Sequence, residues 1–435
     1  MTKALSSLQD LRRRIYRKAK SEKTHRFWGL FVHIAKIETL LEAYRQAKRN
    51  GGAPGIDGQT FADIEAEGLA PFLATLREDL QTGRYQPQAN RRVEIPKDNG
   101  KVRILQIPCI RDRVVQGALK LILEAVFEAD FCPNSYGFRP KRSPHRALAA
   151  VRRSVMRRMS TVIDVDLTRY FDNIRHSVLL EQIAKRVQDP QVMHLVKQVI
   201  KASGNLGVPQ GGPFSPLAAN IYLNEVDWYF EAIRCKTAEG PFEAVNYHRF
   251  ADDIVITVSG HSSKRGWAER ALRRLQEKLE PLGVELNREK TTRVDTLQRD
   301  AFGFLGFDLR RVPKRSGNGH FILITPKKKA RKAIKAKIRD IIRHGGALAA
   351  KVLVARINAV LTGWVNYFRV GNSSRAFSEV RDYVEMKIRT LLTRRKRRQK
   401  RSVGWRRWSN AYLYDVLGLF WDWKVRPLPG AEDFA

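Results

Sequence analysis

The chain has little cysteine, no long apolar run and a shortage of acid, and each absence closes a class of function. Cys109, Cys132 and Cys235 are its three cysteines, with no CxxC pair among them. That excludes a disulfide framework and a cysteine zinc site and fits a reducing compartment. No apolar stretch reaches the roughly 18 residues of a membrane span, and no basic amphipathic helix of the membrane-surface kind is present, so no membrane partner is expected. The opening MTKALSSLQDLRRRIYRKAK lacks the apolar core of a secretory signal. Its Arg-rich character would suit an organellar presequence, but Asp10 and continuing helical patterning favour an ordinary helix, and a cytoplasmic location is expected. Against 44 Asp and Glu stand 81 Lys and Arg, a net charge of +37, which calls for a large polyanionic partner. Nucleic acid fits; a basic ribosome-associated protein is the bland alternative.

What is present suffices for a globular protein of two or three domains: 435 residues, 43% of them hydrophobic. Residues 311–435 hold 30 Lys and Arg against 8 Asp and Glu, so 22 of the 37 excess charges lie there. GGAPGIDGQT (51–60) reads as a Gly-rich loop after a helical N-terminal stretch. RRVEIPKDNGKVRILQI (91–107) places two β-type runs around Asp98-Asn99-Gly100, a hairpin signal because Asn-Gly tolerates positive φ. TVIDVDL (161–167) predicts a buried strand, with SVLLEQIAKRV and PLAANIYLNEVDWYF as helices. NYHRFADDIVITVSG (246–260) predicts a second hairpin with Asp252 and Asp253 at its turn. Leu353, Ile357, Leu361, Trp364 and Phe368 recur at helical spacing and predict one packed apolar face.

Two segments carry chemistry. Nucleotide polymerisation is an in-line attack of a 3′-OH on a triphosphate, and two Mg²⁺ ions roughly 3.5–4 Å apart stabilise the attacking and leaving oxygens. Mg²⁺ takes hard oxygen ligands, often a couple of carboxylates plus phosphates and waters. A strand-end aspartate in VDLTRYFD and an aspartate pair in RFADD supply that scaffold. An isolated Asp-Asp pair is usually a solvated turn. Here it adjoins the apolar IVITV, where uncompensated charge is costly.

The chain resembles the reverse transcriptases of group II introns over nearly its whole length, in motif order. IPKDNGKVRILQIP is similar to the fingers motif, SYGFRPKRSPHRAL to the next block, and VIDVDLTRYFDNIRHSVLL to the first catalytic motif. GVPQGGPFSPLAANIYL, RFADDIVI, LNREKT and FGFLGF resemble the later palm motifs, and GWVNYF the maturase thumb. The resemblance implies an α+β right-hand polymerase with fingers, a palm built on an antiparallel sheet, a helical thumb and a basic C-terminal segment. The expected boundaries are 1–54 for an N-terminal helical extension, 55–310 for fingers and palm, 311–392 for the thumb and 393–435 for the basic segment.

By the same resemblance Asp166 and Asp252 are metal ligands, Asp253 their supporting neighbour and the Leu167 carbonyl a further ligand, while Asp172 is structural. Lys97 and Arg103 would hold the incoming triphosphate, Arg as a fork and Lys as a point charge. Phe171 would exclude a ribose 2′-OH, Gln210 would contact nucleotide and template, and Lys290 would protonate pyrophosphate as a general acid. Phe250 stands where tyrosine is typical and Thr168 where Lys or Arg is common. No His/Cys-rich endonuclease module is visible, as in the compact class C intron proteins.

Lys327, Lys328 and Lys329, then Arg394, Arg395, Arg397 and Arg398 with Trp405 and Trp408, combine charge with aromatic faces, a pattern suited to phosphates and stacked bases. The expected partners are structured intron RNA, an RNA template with a DNA or RNA primer, a DNA target and deoxynucleoside triphosphates. Two rivals remain: an RNA-binding maturase with a dead polymerase site, and a related reverse transcriptase serving a defence or diversity-generating system. The intact set of Asp166, Asp252, Lys97, Arg103 and Gln210 argues against the first, and GWVNYF against the second.

Overall fold

The computed structural model describes residues 2–96, 102–202, 204–238, 243–261, 264, 266–395 and 406–429, without the side chains of residues 2–6 and 103. The chain forms two compact units. The first comprises residues 1–143, 165–256 and 263–291; the second comprises 144–164, 257–262 and 292–435.

The centre of the first unit is the helix Ile110–Phe127, whose residues from IRDRVVQGALKLILEAVF are buried almost all round. A helix apolar on every side has to be wrapped by others, and Thr2–Ser21 and Ile37–Arg49 pack against it. Its two buried acids are paired, as burial of charge requires. Asp112 accepts from the Tyr85 hydroxyl at 2.8 Å and the Gln88 amide at 3.0 Å, and burial pushes its carboxyl above the ordinary range. Glu124 pairs with Arg12 at 2.8 Å.

The expected first hairpin is present as strands Arg91–Pro96 and Val102–Ile107, antiparallel with Ile95 opposite Arg103; its Asn-Gly turn lies outside the described residues. The long helix Ser215–Thr237 packs on strand Val245–Phe250. Strand Asp253–Val258 follows after a turn at Ala251 and Asp252.

In the second unit, Thr161–Val165 pairs antiparallel with Thr292–Asp295, with Val162 opposite Val294. Strands Ala301–Phe304, Phe307–Pro313 and His320–Pro326 form an antiparallel sheet. FGFLGF turns back through Leu305 and Gly306, both at positive φ (48° and 79°), the geometry of a two-residue hairpin. Helices Lys328–His344, Ala350–Phe368 and Ser374–Arg395 enclose an apolar core that includes Leu353, Ile357, Leu361, Val380 and Ile388. The helical face read from the sequence is therefore core, with Trp364 partly buried against it.

The observed units differ from the expected boundaries. A cut at 310 would divide strand Phe307–Pro313, which pairs on one side with Ala301–Phe304 and on the other with His320–Pro326. Residues 292–310 consequently stand in the second unit. Among the described residues no helix is long and apolar enough to cross a membrane.

Candidate active site

Asp166 stands just beyond strand Thr161–Val165, and the LNREK segment ties its neighbourhood down. Leu167 and Leu286 form an antiparallel bridge. The Thr168 amide donates to the Glu285 carbonyl at 2.8 Å, and the Asn287 amide to the Asp166 carbonyl at 2.8 Å. A turn then closes, with the Thr291 amide donating to Asn287 at 2.9 Å. It delivers the Lys290 ammonium to 3.0 Å from Asp166 Oδ2, on a carboxylate whose side chain is 38% exposed. Asp166 thus already faces a positive charge, and hard carboxylate oxygens are the donors that Mg²⁺ prefers.

Asp252 lies on the turn after strand Val245–Phe250, exposed together with Asp253. Ala251 before it sits at φ 58°, a left-handed conformation that a residue with a Cβ adopts only when its surroundings enforce it. The enforcing group is Arg249. Its guanidinium is fully buried and donates to both carboxylate oxygens of Asp227 (2.7 and 2.5 Å), to Asn220 Oδ1 at 3.0 Å and to the Ala251 carbonyl at 3.0 Å. Asn220 in turn donates to the Gly137 carbonyl at 2.8 Å.

Gly137 lies so close to the turn that a Cβ there would come within 2.3 Å of the Ala251 nitrogen. Only glycine permits this approach. Backbone bonds from Tyr136 to the Arg249 carbonyl (2.8 Å) and from Arg249 to the Asn134 carbonyl (3.0 Å) zip the two segments together. Phe138 follows at φ 56°, at a cost of about 1–2 kcal/mol for an L residue, and its ring lies 6.4 Å from that of Phe250. The SYGFRP block is thus a brace for the carboxylate turn.

The two carboxylate segments come within electrostatic reach of one another. Tyr170, four residues past Asp166, is wholly buried; burial pushes its phenol far above the ordinary value, and the charge of Asp252 is among those acting on it. Phe171 is half-buried, edge-on to Tyr170 at 5.4 Å, and its carbonyl accepts from the Val208 amide at 2.9 Å. Gln210 donates from Nε2 to Asp172 Oδ1 at 3.1 Å, and its carbonyl accepts from the Gln106 amide at 3.0 Å. Asp172 therefore positions Gln210. Lys97 lies outside the described residues, as does the side chain of Arg103, whose backbone belongs to strand Val102–Ile107.

The C-terminal expectations need correction in part. Arg397, Arg398 and Trp405 lie outside the described residues. Trp408 is only 8% exposed and sits in the core with Leu413, Leu417 and Leu419, so its ring is packing and no stacking platform. Arg395 donates to the Gly346 and Leu348 carbonyls at 2.7 and 2.6 Å, closing a turn of its own unit. Lys327 is half-buried, its ammonium lying over Gly303, while Lys328, Lys329 and Arg394 are exposed.

Deleting residues 406–435 should accordingly destabilise the second unit. Each large apolar side chain taken from the core forfeits about 1.5–3 kcal/mol. Urea denaturation followed by circular dichroism should show an earlier or broadened transition; an unchanged midpoint would show that the segment is dispensable to the core.

Arg249, Asp227, Asn220, Gly137 and Phe138 were not singled out from the sequence. The available signal was a charged residue inside the strand NYHRF and another inside the apolar helix stretch NEVDWYF, since charges placed where side chains are buried must find each other.

Residues 95–309 match the family described as reverse transcriptase (RNA-dependent DNA polymerase), and residues 331–410 match the group II intron, maturase-specific domain. Protein YkfC of Escherichia coli strain K12 is 35% identical over 364 residues, covering 74% of this chain and 94% of its own length. The group II intron-encoded protein LtrA of Lactococcus lactis subsp. cremoris is 29% identical over 394 residues, 73% of this chain and 63% of its own. The putative COX1/OXI3 intron 1 protein of Saccharomyces cerevisiae is 27% identical over 372 residues, 72% of this chain and 44% of its own. The chain thus spans less than two thirds of the last two proteins.

Proposed function

This chain belongs to the reverse transcriptases that carry a group II intron maturase domain, and we propose that it copies RNA into DNA at Asp166 and Asp252 while gripping structured intron RNA for splicing and mobility. The observation that carries this reading is a partly exposed carboxylate at a strand end beside Lys290 and, on a braced turn entered through a left-handed residue, a second, exposed one. Reverse transcriptases generally use Mg²⁺, for which carboxylate and carbonyl oxygens are suitable donors, and Asp166, Asp252 and the Leu167 carbonyl would hold two ions. The ions would supply charge stabilisation for the attacking and leaving oxygens.

The chain's own residues would do the rest. Lys97 and Arg103 bind the triphosphate of the incoming nucleotide. Gln210, fixed by Asp172, orients the nucleotide against the template. Lys290 would move a proton to departing pyrophosphate; what supports this is its contact with Asp166, which holds its ammonium beside that carboxylate. The exposed Lys328, Lys329 and Arg394 offer charge to RNA phosphates, the sequence-independent part of such binding. RNA template, primer, target DNA and deoxynucleoside triphosphates are the partners this requires. Primer extension on an RNA template with Mg²⁺ tests the reading directly; a folded protein that extends no primer would refute it.

Phe171 is the expected gate against ribonucleotides. Phe171→Ala or Phe171→Val should reduce discrimination against ribonucleoside triphosphates by about 10- to 100-fold, the scale on which a shaped pocket separates substrates differing by one small group. Paired incorporation assays would show this. Unaltered selectivity would assign the ring to packing against Tyr170.

A further inference from the structure

We propose that Phe138 is a primer-binding residue, its ring lying against the sugar and base of the primer's 3′-terminal nucleotide; this rests on the polymerase reading above. In the run Ser135–Arg139, Phe138 is the one exposed residue, at 50%. An exposed phenylalanine alone would mean little. This one, however, is held in a left-handed conformation, φ 56°, that a bulky aromatic residue avoids, and strain of this kind persists only where neighbours over-determine it.

The neighbours are rigid on both sides. Gly137 abuts the Ala251 nitrogen and is held through Asn220. Arg139 is buried, forks onto Glu128 with bonds of 2.8–3.2 Å, and donates to the Cys132 and Ser135 carbonyls at 2.6 and 2.7 Å. Between these anchors the Phe138 ring lies beside that of Phe250, the residue two before Asp252.

Chemistry then selects the ligand. On the polymerase reading the attacking 3′-OH must come up to Asp252, so the nucleotide bearing it has to lie over this turn. The elements assigned to the incoming nucleotide, Phe171 and Gln210, are instead tied to the segment around Asp172. A half-exposed ring beside the turn offers a flat, sequence-tolerant face for a terminal sugar and base, as aromatic side chains do for single nucleotides elsewhere.

The test uses the full-length protein and an RNA template with a DNA primer. Phe138→Gly removes the ring and relieves the left-handed strain; Phe138→Ala removes the ring and keeps the strain; Phe138→Tyr keeps the ring. Both truncations should raise KM for primer–template by about tenfold, the size of one lost stacking contact, and weaken primer–template binding in anisotropy titrations. KM for the nucleotide should stay within twofold, roughly the precision of the assay, and Phe138→Tyr should restore primer affinity. Thermal melting should place Phe138→Gly at or above Phe138→Ala, because glycine accepts the backbone angle.

Primer KM and binding unchanged in both truncations would overturn the proposal. So would a rise confined to the nucleotide KM, which would move the ring to the incoming substrate. An active wild type with indifferent Phe138 variants would sink this inference alone, whereas a wild type that extends no primer would sink the polymerase reading beneath it.

Discussion

Asp166→Ala and Asp252→Ala should each abolish DNA synthesis on an RNA template while leaving RNA binding near wild type. On the proposed reading a lost carboxylate loosens the hold on a metal ion whose charge stabilisation of the transition state is worth several kcal/mol. At about 1.4 kcal/mol per tenfold that is on the order of a thousandfold in rate. Folding should survive, because both carboxylates reach the surface: Asp252 is exposed and Asp166 is 38% exposed beside a Lys290 that is 56% exposed, so neither variant strands a buried charge. RNA binding should survive because affinity for phosphates resides in Lys and Arg, and removing an acid leaves a net charge of +37 slightly higher. Primer extension with Mg²⁺, beside filter binding of structured RNA over a salt series, separates the two properties. Full extension by either variant would remove that aspartate from the metal site. Loss of RNA binding together with extension would mean that the turn supports the fold and the assignment to chemistry was mistaken.

Much of the local structure was legible. Strand Thr161–Val165, helix Ser215–Thr237, the hairpin of Val245–Phe250 and Asp253–Val258, and the packed face of Ala350–Phe368 follow from period and turn chemistry, signals that a sequence window contains. What escaped depends on residues far apart in the chain. Gly137 reads as an ordinary loop glycine until its Cα is seen against Ala251, 114 positions later. Trp408 sits among arginines, and a composition argument places it on RNA; its actual partners are Leu413, Leu417 and Leu419, which a charge count ignores. The compact units depart from a boundary at 310 for a related reason. Antiparallel pairing joined Phe307–Pro313 to strands on both sides, and pairing partners are not marked in a one-dimensional pattern. Asp166 and Asp252 were the easier residues to single out, since acids beside apolar strand residues weigh against the bland reading of a solvated turn.

Arg249 should prove a positioning residue whose removal damages both stability and catalysis. Its guanidinium and the Asp227 carboxylate are both fully buried, and truncating one partner leaves the other charge uncompensated, at a cost of about 3–5 kcal/mol. Arg249→Ala and Asp227→Ala should therefore each lower the urea midpoint sharply. Replacing the pair by apolar residues of similar volume, Arg249→Met with Asp227→Leu, removes both charges together and should recover most of that loss, since buried ion pairs exchanged in this way are often close to neutral. Recovery would be incomplete, because the Ala251 carbonyl and Asn220 Oδ1 lose their donor, at about 1–3 kcal/mol for a buried acceptor left unpaired. The informative measurement is DNA synthesis by the double variant. The Ala251 carbonyl then lacks its guanidinium donor, the left-handed turn loosens, and Asp252 loses part of its fixed orientation even though the fold has returned. Stability restored with synthesis still depressed at least tenfold, about 1.4 kcal/mol in the barrier, is the expected result. Full synthesis in the stable double variant would reduce the pair to a packing element, and additive stability losses would show that Arg249 and Asp227 are not energetically coupled.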